Sequence, residues 1–580
     1  MRNELQSKMK SCLLITCLSL LLNCNFAFSE KKASIKKQPI FSDITQSSGI
    51  NFVHFNGMTG EFFFPEMTGS GGALFDFDND GDLDIYLVQG SFLGDKKNMK
   101  EVLFPINERP ADRLLRNNLI SGSTKNEQAT FTDITDEAQL NIDDYGMGVA
   151  TGDFNNDGWI DLIVTNYGKN RLLENKGDGT FKDLSHALPN NDQRWSTSAA
   201  FFDFNRDGLL DIYITNYVEY DVKNKKNCYA RSSRLDYCGP AAFKPQKDSF
   251  YQNLGKGKFI DVTDSLLRDY QAGPGLGVTT ADFNGDGWID IYVANDGQAN
   301  QLWINKSGKY FEDDGLFSGT SVNSDGKAEA SMGVDAADYD NDGDNDLFMT
   351  HLMGETNTLY RNDGTGIFED VTKEAGLGLA SLSYTAFGTA WIDYDNDSFL
   401  DLLVLNGAVS TIEKQLENKD PYPLRQANQL FKNIKGKSFV EIRDETITSL
   451  RVQHVSRGAS FGDIDNDGDT DVLIYNNNGP LRLLENKLGQ EKPWIGFNLR
   501  EKKSKRDSYG AQVELKTKDK RSLWRRVRSD GSYCSANDPR ILFGLDGFSD
   551  IESIDVHWPD GSKQTISNFK LNEYNLIVKQ

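Results

Sequence analysis

The stretch Asp76-Phe-Asp-Asn-Asp-Gly-Asp-Leu-Asp84 puts carboxylates at positions 1, 3, 5 and 9 of a short loop, with Gly81 at position 6. Alternate carboxylates converge where such a loop turns sharply at a glycine. A hard cation such as Ca²⁺ takes six to eight oxygens at about 2.3–2.6 Å. Position 7 would add its backbone carbonyl, so the Asp82 side chain is not needed as a ligand.

The pattern occurs seven times. Its candidate ligands are Asp76, Asp78, Asp80 and Asp84 in the first loop, Asp153, Asn155, Asp157 and Asp161 in the second, and Asp203, Asn205, Asp207 and Asp211 in the third. Then come Asp282, Asn284, Asp286 and Asp290, followed by Asp338, Asp340, Asp342 and Asp346. The last two loops hold Asp393, Asp395, Asp397 and Asp401, and Asp463, Asp465, Asp467 and Asp471. Asn at position 3 keeps an oxygen ligand at lower charge. A single copy would read equally well as an Asp-Gly turn, but seven copies with Asp always at positions 1, 5 and 9 are not unrelated turns. The surviving alternative is a loop that holds its shape without metal. Loop six is its strongest instance, because Ser398 replaces the glycine where positive φ is called for.

These are not EF-hands, which carry a Glu at position 12 on an exiting helix. Position 12 here is Leu87, Val164, Ile214, Val293, Met349, Val404 or Ile474. The residues after each loop, such as Leu83-Asp-Ile-Tyr-Leu87, read as a strand. A Gly-rich apolar strand precedes each loop. A third strand ends in Asn (Asn175, Asn305, Asn362, Asn433), and a fourth opens on Phe (Phe131, Phe181, Phe259, Phe311, Phe368, Phe439). Four short strands per unit, repeated at this period, predict an all-β propeller of seven blades over residues 41–490. The seventh unit lacks its own fourth strand, and Phe41-Ser-Asp-Ile-Thr45 is one without a unit. The N-terminal strand should therefore close the ring beside residues 481–486 and hide its open edges.

Strand alternation puts the Asp loops and the later Gly turns on one face. The long insertions Val88–Ala111, Tyr217–Asp248 and Gly407–Asn428 fall on the other, where loops on a rigid scaffold carry function. Candidate ligand-face residues there are Arg194, Tyr217, Asp296, His351 and Glu355.

The net charge of −23 has a local source, since the odd loop positions alone hold 28 Asp. Such acidity points to divalent metal, up to seven Ca²⁺, and away from nucleic acid. An apolar fraction of 38% and a mean hydropathy of −0.53 suit a soluble chain with no transmembrane segment after its first residues. Residues 1–29 read as a secretory signal: Arg2, Lys8 and Lys10, an apolar run from Ser11 to Leu22, and a cleavage site at Ala27-Phe-Ser29. A lipid anchor on Cys24 is the alternative. Residues 30–40 are a basic, polar linker. Secretion, or export to a periplasm or cell surface if the source is bacterial, makes Cys228 and Cys238 disulfide partners. Cys534 is left as a small buried hydrophobe.

Residues 491–580 read as a small β-sandwich or barrel. Arg500 to Arg528 carries a basic excess, either a polyanion patch or a face that docks on the acidic loops.

The loops resemble the FG-GAP/VCBS repeats of integrin-α-like propellers. Phe63-Phe-Pro-Glu-Met67, Arg194-Trp-Ser-Thr-Ser-Ala-Ala200, Tyr237-Cys-Gly-Pro240, Thr350-His-Leu352 and Asn476-Asn-Asn-Gly-Pro480 resemble the cartilage-acidic-protein family. Tyr509-Gly-Ala-Gln-Val513, Ser535-Ala-Asn-Asp-Pro-Arg540 and Trp558-Pro-Asp-Gly561 resemble its C-terminal ASPIC/UnbV domain. Ser398 and Cys534 depart from the family pattern. The resemblance implies a secreted calcium-binding, adhesion-type module. It also leaves room for an enzyme-like role, such as natural-product tailoring, because some bacterial relatives sit among biosynthesis genes.

On residues alone the module would bind an unknown glycan, protein or small metabolite through the insertion face. An enzyme would use His351 and Glu355 there as an acid–base pair, with Arg194, Asp296, Tyr217 and Tyr220 nearby. A deep polar pocket would favour the enzyme and a broad rim the binder. The plain alternative is that these side chains fix the loops.

Overall fold

The computed structural model describes residues 37–95, 97–119, 128–230, 232–546 and 550–580. The expected signal segment, Cys24 and most of the linker lie outside the described residues. The chain is nearly all β, with 7% helix and 37% strand. No helix among the described residues is long and apolar enough to cross a membrane.

Strands between Phe41 and Asn486 form seven antiparallel four-stranded sets. The first is Gly72–Phe75, Asp84–Leu87, Arg113–Asn117 and Phe131–Asp133. Each later set repeats that order, with an Asp loop between its first and second strands. The second and third sets are also joined, through Arg194 and Trp195 against Gly168 and Tyr167. The first strand of each set touches the first strand of the next, and the seventh touches the first. The sets are therefore blades around a closed ring.

Closure falls where the sequence places it. Phe41–Asp43 pairs antiparallel with Arg482–Asn486, Phe41 opposite Asn486. Arg482 holds Asp43 at 2.8 Å. The donated strand supplies hydrogen-bond partners to an edge that would otherwise be open.

Two rings of side-chain bonds stitch neighbouring blades together. The Asn that ends each third strand donates to a backbone carbonyl of its own loop and to one in the preceding blade's loop. Asn253 Nδ2 reaches Leu210 O (3.0 Å) and Phe154 O (2.7 Å). Asn117 closes the ring by reaching Ile464 O of the last blade. The other five Asn residues repeat the bond. A second ring runs the opposite way from loop position 4, as in Asn79 to Gly158 O (2.9 Å) and Asn466 to Gly81 O (3.2 Å). Gly285 has no side chain to extend it. Asn253→Ala should leave two buried carbonyls unpaired and cost about 2–5 kcal/mol, measured as a drop in urea midpoint.

The C-terminal strands form two sheets. Trp494–Arg500 lies between Ile541–Gly544 and a parallel Tyr574–Val578. Gln512–Thr517 lies between Ser522–Arg526 and Ile551–His557, with Lys563–Ile566 outside. These sheets sit on the Asp-loop face. The basic stretch docks there: Arg528 pairs with buried Asp335 at 2.6 Å, and Arg506 reaches Gly208 O.

Residues 529–538, between the two sheets in sequence, enter the space enclosed by the seven first strands. Ala536 exchanges backbone bonds with Gly72 and Leu74, Cys534 O accepts from Val149, and Ser532 O accepts from Val334. Asp530 accepts from Thr280, and Asn537 Oδ1 from Phe461. Tyr533 meets Phe387 edge-on at 5.0 Å and donates to Thr68 O at 3.1 Å. The plug thus pairs inner-edge groups around the ring, and Cys534 is buried in it.

Candidate functional site

Each Asp loop is built by its own carboxylates. Position 9 is the first residue of the second strand in every blade and is buried. Asp84 accepts the Phe77 amide (3.0 Å) on one oxygen and the Asn117 amide (2.8 Å) on the other. The other six position-9 residues do the same. Position 1 accepts the amides of positions 5 and 6: Asp76 takes Asp80 and Gly81, both at 3.1 Å. Position 5 takes the amide of position 7, as Asp80 does from Asp82.

Position 6 has positive φ in all seven loops, from 104° at Gly343 to 78° at Ser398. Ser398 therefore accepts the conformation the glycines supply, at a cost its neighbours' bonds must offset. Loop six keeps the same frame, with Asp393 accepting the Asp397 and Ser398 amides at 2.8 Å each.

That frame gathers negative charge. Carboxylate oxygens of positions 1, 3 and 9 lie within 4.8 Å of one another in loops one, five, six and seven. Loops two to four carry Asn at position 3, where Asn155 Oδ1 accepts the Asp157 amide at 2.9 Å. Burial pushes Asp153 and Asp282 up to about 6 and Asp338 and Asp393 up to about 7. Burial and then the neighbouring loop carboxylates raise Asp465 and Asp467. Like charges this close are stabilised by protons or by a cation.

A cation suits these residues on a second count. Asp78, Asp82, Asp340, Asp344 and Asp469 each bury an Oδ1 that no hydrogen-bond donor reaches, and so does Asp395, whose other oxygen accepts from Lys432. Such an atom is costly unless something positive meets it. Asp82, Asp344 and Asp469 stand at position 7, where the sequence pointed to a backbone carbonyl alone. Their side chains are drawn into the cluster, Asp82 lying against Asp80. The signal was present in Asp at position 7 of the three loops with five carboxylates.

On the opposite face the three insertions, from blades one, three and six, meet each other. Arg234 pairs with Glu413 (3.3 Å), Asp236 accepts the Thr411 amide, and Phe104 packs at a tilt against Tyr422. Cys228 and Cys238 form a disulfide in the middle insertion. Beneath lies an aromatic core including Phe64, Trp195, Tyr217, Phe387 and Tyr533.

The candidate ligand-face side chains are mostly internal to this layer. His351 is 1% exposed, with Nε2 3.0 Å from Ser331 Oγ and Nδ1 2.7 Å from Thr356 O. Burial pushes it down to about 4, so it is neutral at pH 7. Glu355 accepts the Ala330 amide at 2.9 Å. Tyr217 donates to Asp296 at 2.5 Å, and burial lifts Asp296 to about 7. Arg194 is held by Asp192, Ser249 and the Lys247 carbonyl. Tyr220 Oη accepts the Phe64 N–H at 3.3 Å, and its ring meets Trp195 and Phe243 edge-on. His351, Asp296 and Glu355 share one region, but each is engaged in holding a loop.

Glu66 was not singled out by sequence. It is fully buried, accepts from Tyr237 at 2.9 Å, and has Oε1 unpaired. Burial pushes it up to about 8, against an ordinary 4.5. Its contribution to stability is whole below the unfolded value and is lost as pH rises through the folded one. Glu66→Gln should therefore remove a pH-dependent loss on the order of a few kcal/mol. Urea midpoints at pH 5 and pH 8.5 would differ less in the variant than in the wild type.

Comparison with known proteins bears on both halves of the chain. An FG-GAP-like repeat model matches residues 153–214, 241–293, 282–349 and 338–404. An ASPIC and UnbV model matches residues 501–580. The chain is 25% identical to cartilage acidic protein 1 of Homo sapiens over 353 residues, 57% of this chain and 50% of that protein. It is 24% identical to the Xenopus tropicalis protein of the same name over 317 residues, 54% of this chain and 38% of that one. The chain thus spans half or less of the length of these relatives. Among solved structures, an Agrocybe aegerita lectin described as recognising non-reducing terminal N-acetylglucosamine aligns at a TM-score of 0.37 and 15% identity, covering 70% of this chain and 96% of that one. The BBS1N–ARL6DN complex aligns at 0.35 and 10% identity, covering 78% and 98%. Similarity this low says nothing about ligand. With FG-GAP-like repeats in its ring of blades and an ASPIC and UnbV segment at its C-terminus, the chain matches the cartilage-acidic-protein-like family in both parts.

Proposed function

We propose that the chain is an exported recognition module, a propeller stiffened by Ca²⁺ in its Asp loops, that binds a glycan, protein or metabolite on the insertion face. The observation that carries this is the repeated loop, whose buried and partly unpaired carboxylates are oxygen ligands of the kind Ca²⁺ takes. Each ion would tie the two strands of one blade to the loop between them. The Asn rings would pass that rigidity from blade to blade.

The C-terminal sheets cover the loop face, and three knitted insertions roof the other. Exposed apolar side chains on those insertions include Tyr229, on the disulfide-bonded hairpin, and Leu103. A roof over an aromatic core favours surface binding over a deep catalytic pocket. The enzyme-like alternative rests on His351, Asp296 and Glu355 sharing a region. It is weakened by the bonds that occupy them.

The test is a glycan and matrix-protein array probed with the exported chain in calcium. The reading predicts a binder whose signal falls at least about tenfold on Tyr229→Ser with the unfolding midpoint unchanged. Binding that is indifferent to every insertion-face substitution contradicts it.

A further inference from the structure

We infer that loop six holds its shape with an internal ammonium, Lys432 standing where the other loops take a divalent cation. The inference rests on the calcium reading of those other loops. Lys432 is the residue before the blade-bridging Asn433, on the third strand of the sixth blade. Its Nζ donates to Asp395 Oδ2 and lies 3.2 Å from Asp397 Oδ2. These are positions 3 and 5, two of the four side chains that define the cation site. The ammonium supplies three donors from a compact charge and needs no fixed coordination geometry.

Arg116 and Arg361 also bring positive charge near Asp78 and Asp340, but among the described residues the direct bond from this position to two loop carboxylates belongs to Lys432. Its counterparts are Arg116, Glu174, Gln252, Ile304, Arg361 and Glu485. Arg361 is turned outward to Glu369 at 2.7 Å. Glu485 has the opposite sign. Loop six is also the loop where Ser398 replaces glycine, and it has Phe399 at position 7 rather than an acid. The Arg525 guanidinium adds positive charge beside Asp393.

Lys432 meets two of the four carboxylates and Arg525 lies near a third, so Ca²⁺ entering would meet like charge a few ångströms away. The frame does not need the ion. Asn396 fixes the loop to Gly468 O and Gly489 O at 2.9 Å each.

The experiment is diffraction from the full exported chain crystallised in calcium, with calcium counted by mass spectrometry after gel filtration, for wild type, Lys432→Met and Lys432→Arg. The wild type should show ions in other loops and the Lys432 ammonium in loop six. Lys432→Met should gain one equivalent, located in loop six, and Lys432→Arg should gain none. In chelator Lys432→Met should unfold at a lower temperature than wild type and recover with calcium. Calcium in loop six of the wild type overturns the assignment without any variant having to fold. So does a folded Lys432→Met with no added ion. An absence of calcium from every loop would instead take down the reading on which this inference rests.

Discussion

Removing divalent metal from the chain should lower its unfolding midpoint by on the order of 10 °C, and Ca²⁺ but not Mg²⁺ should restore it. An ion that binds only the native state stabilises by RT ln(1 + [L]/Kd), about 2.7 kcal/mol per site at a hundred times Kd. Several such sites in one cooperative ring sum to a free energy that moves the midpoint by that much even in a large chain. Part of the loss is self-limiting. Without metal, crowded carboxylates such as Asp338 take up protons near neutral pH and shed some of their repulsion. The calcium effect should therefore be larger at pH 8 than at pH 6. The selectivity follows from the ligands: Mg²⁺ demands near-ideal octahedral geometry and gives up water reluctantly, while a loop of staggered carboxylates suits the larger, more tolerant ion.

The second large effect concerns the plug. Tyr533→Ala should cost about 3–5 kcal/mol, and the ring of blades and the C-terminal sheets should unfold in one transition rather than two. Tyr533 is wholly buried among residues of the ring, against Phe387 and bonded to Thr68 O. Removing it opens a cavity and orphans that carbonyl at once. Its neighbours Ser532, Cys534 and Ala536 supply backbone partners to the first strands of three blades. Calorimetry with near-ultraviolet dichroism would check this. Two separable transitions, with Tyr533→Ala shifting only the C-terminal one, would show the plug to be a passive tail.

Local rules made much of this architecture legible. The Asp spacing marked every loop, and the orphan Phe41 strand matched the one blade that lacked a fourth. Cys228 and Cys238 announced their bond by their distance along the chain. What stayed hidden depends on partners far away in sequence. The third-strand Asn residues stood out as a repeated ending, but their acceptors lie in the preceding blade, 99 residues distant for Asn253 and Phe154. The plug has no alternation to mark it, because residues 529–538 satisfy their backbone against other strands rather than in a sheet of their own. The ligand-face candidates were chosen for chemical type. Tyr217, Asp296 and His351 are buried and hydrogen-bonded, which their types in the sequence did not disclose.

Whether the loops bind calcium is tested most directly by titrating the chelator-treated chain with Ca²⁺ in a calorimeter, against a background of millimolar Mg²⁺. The account predicts saturable binding of several equivalents of Ca²⁺ that magnesium does not displace. Heats no larger than dilution, from a chain shown to be folded and metal-free, would contradict it.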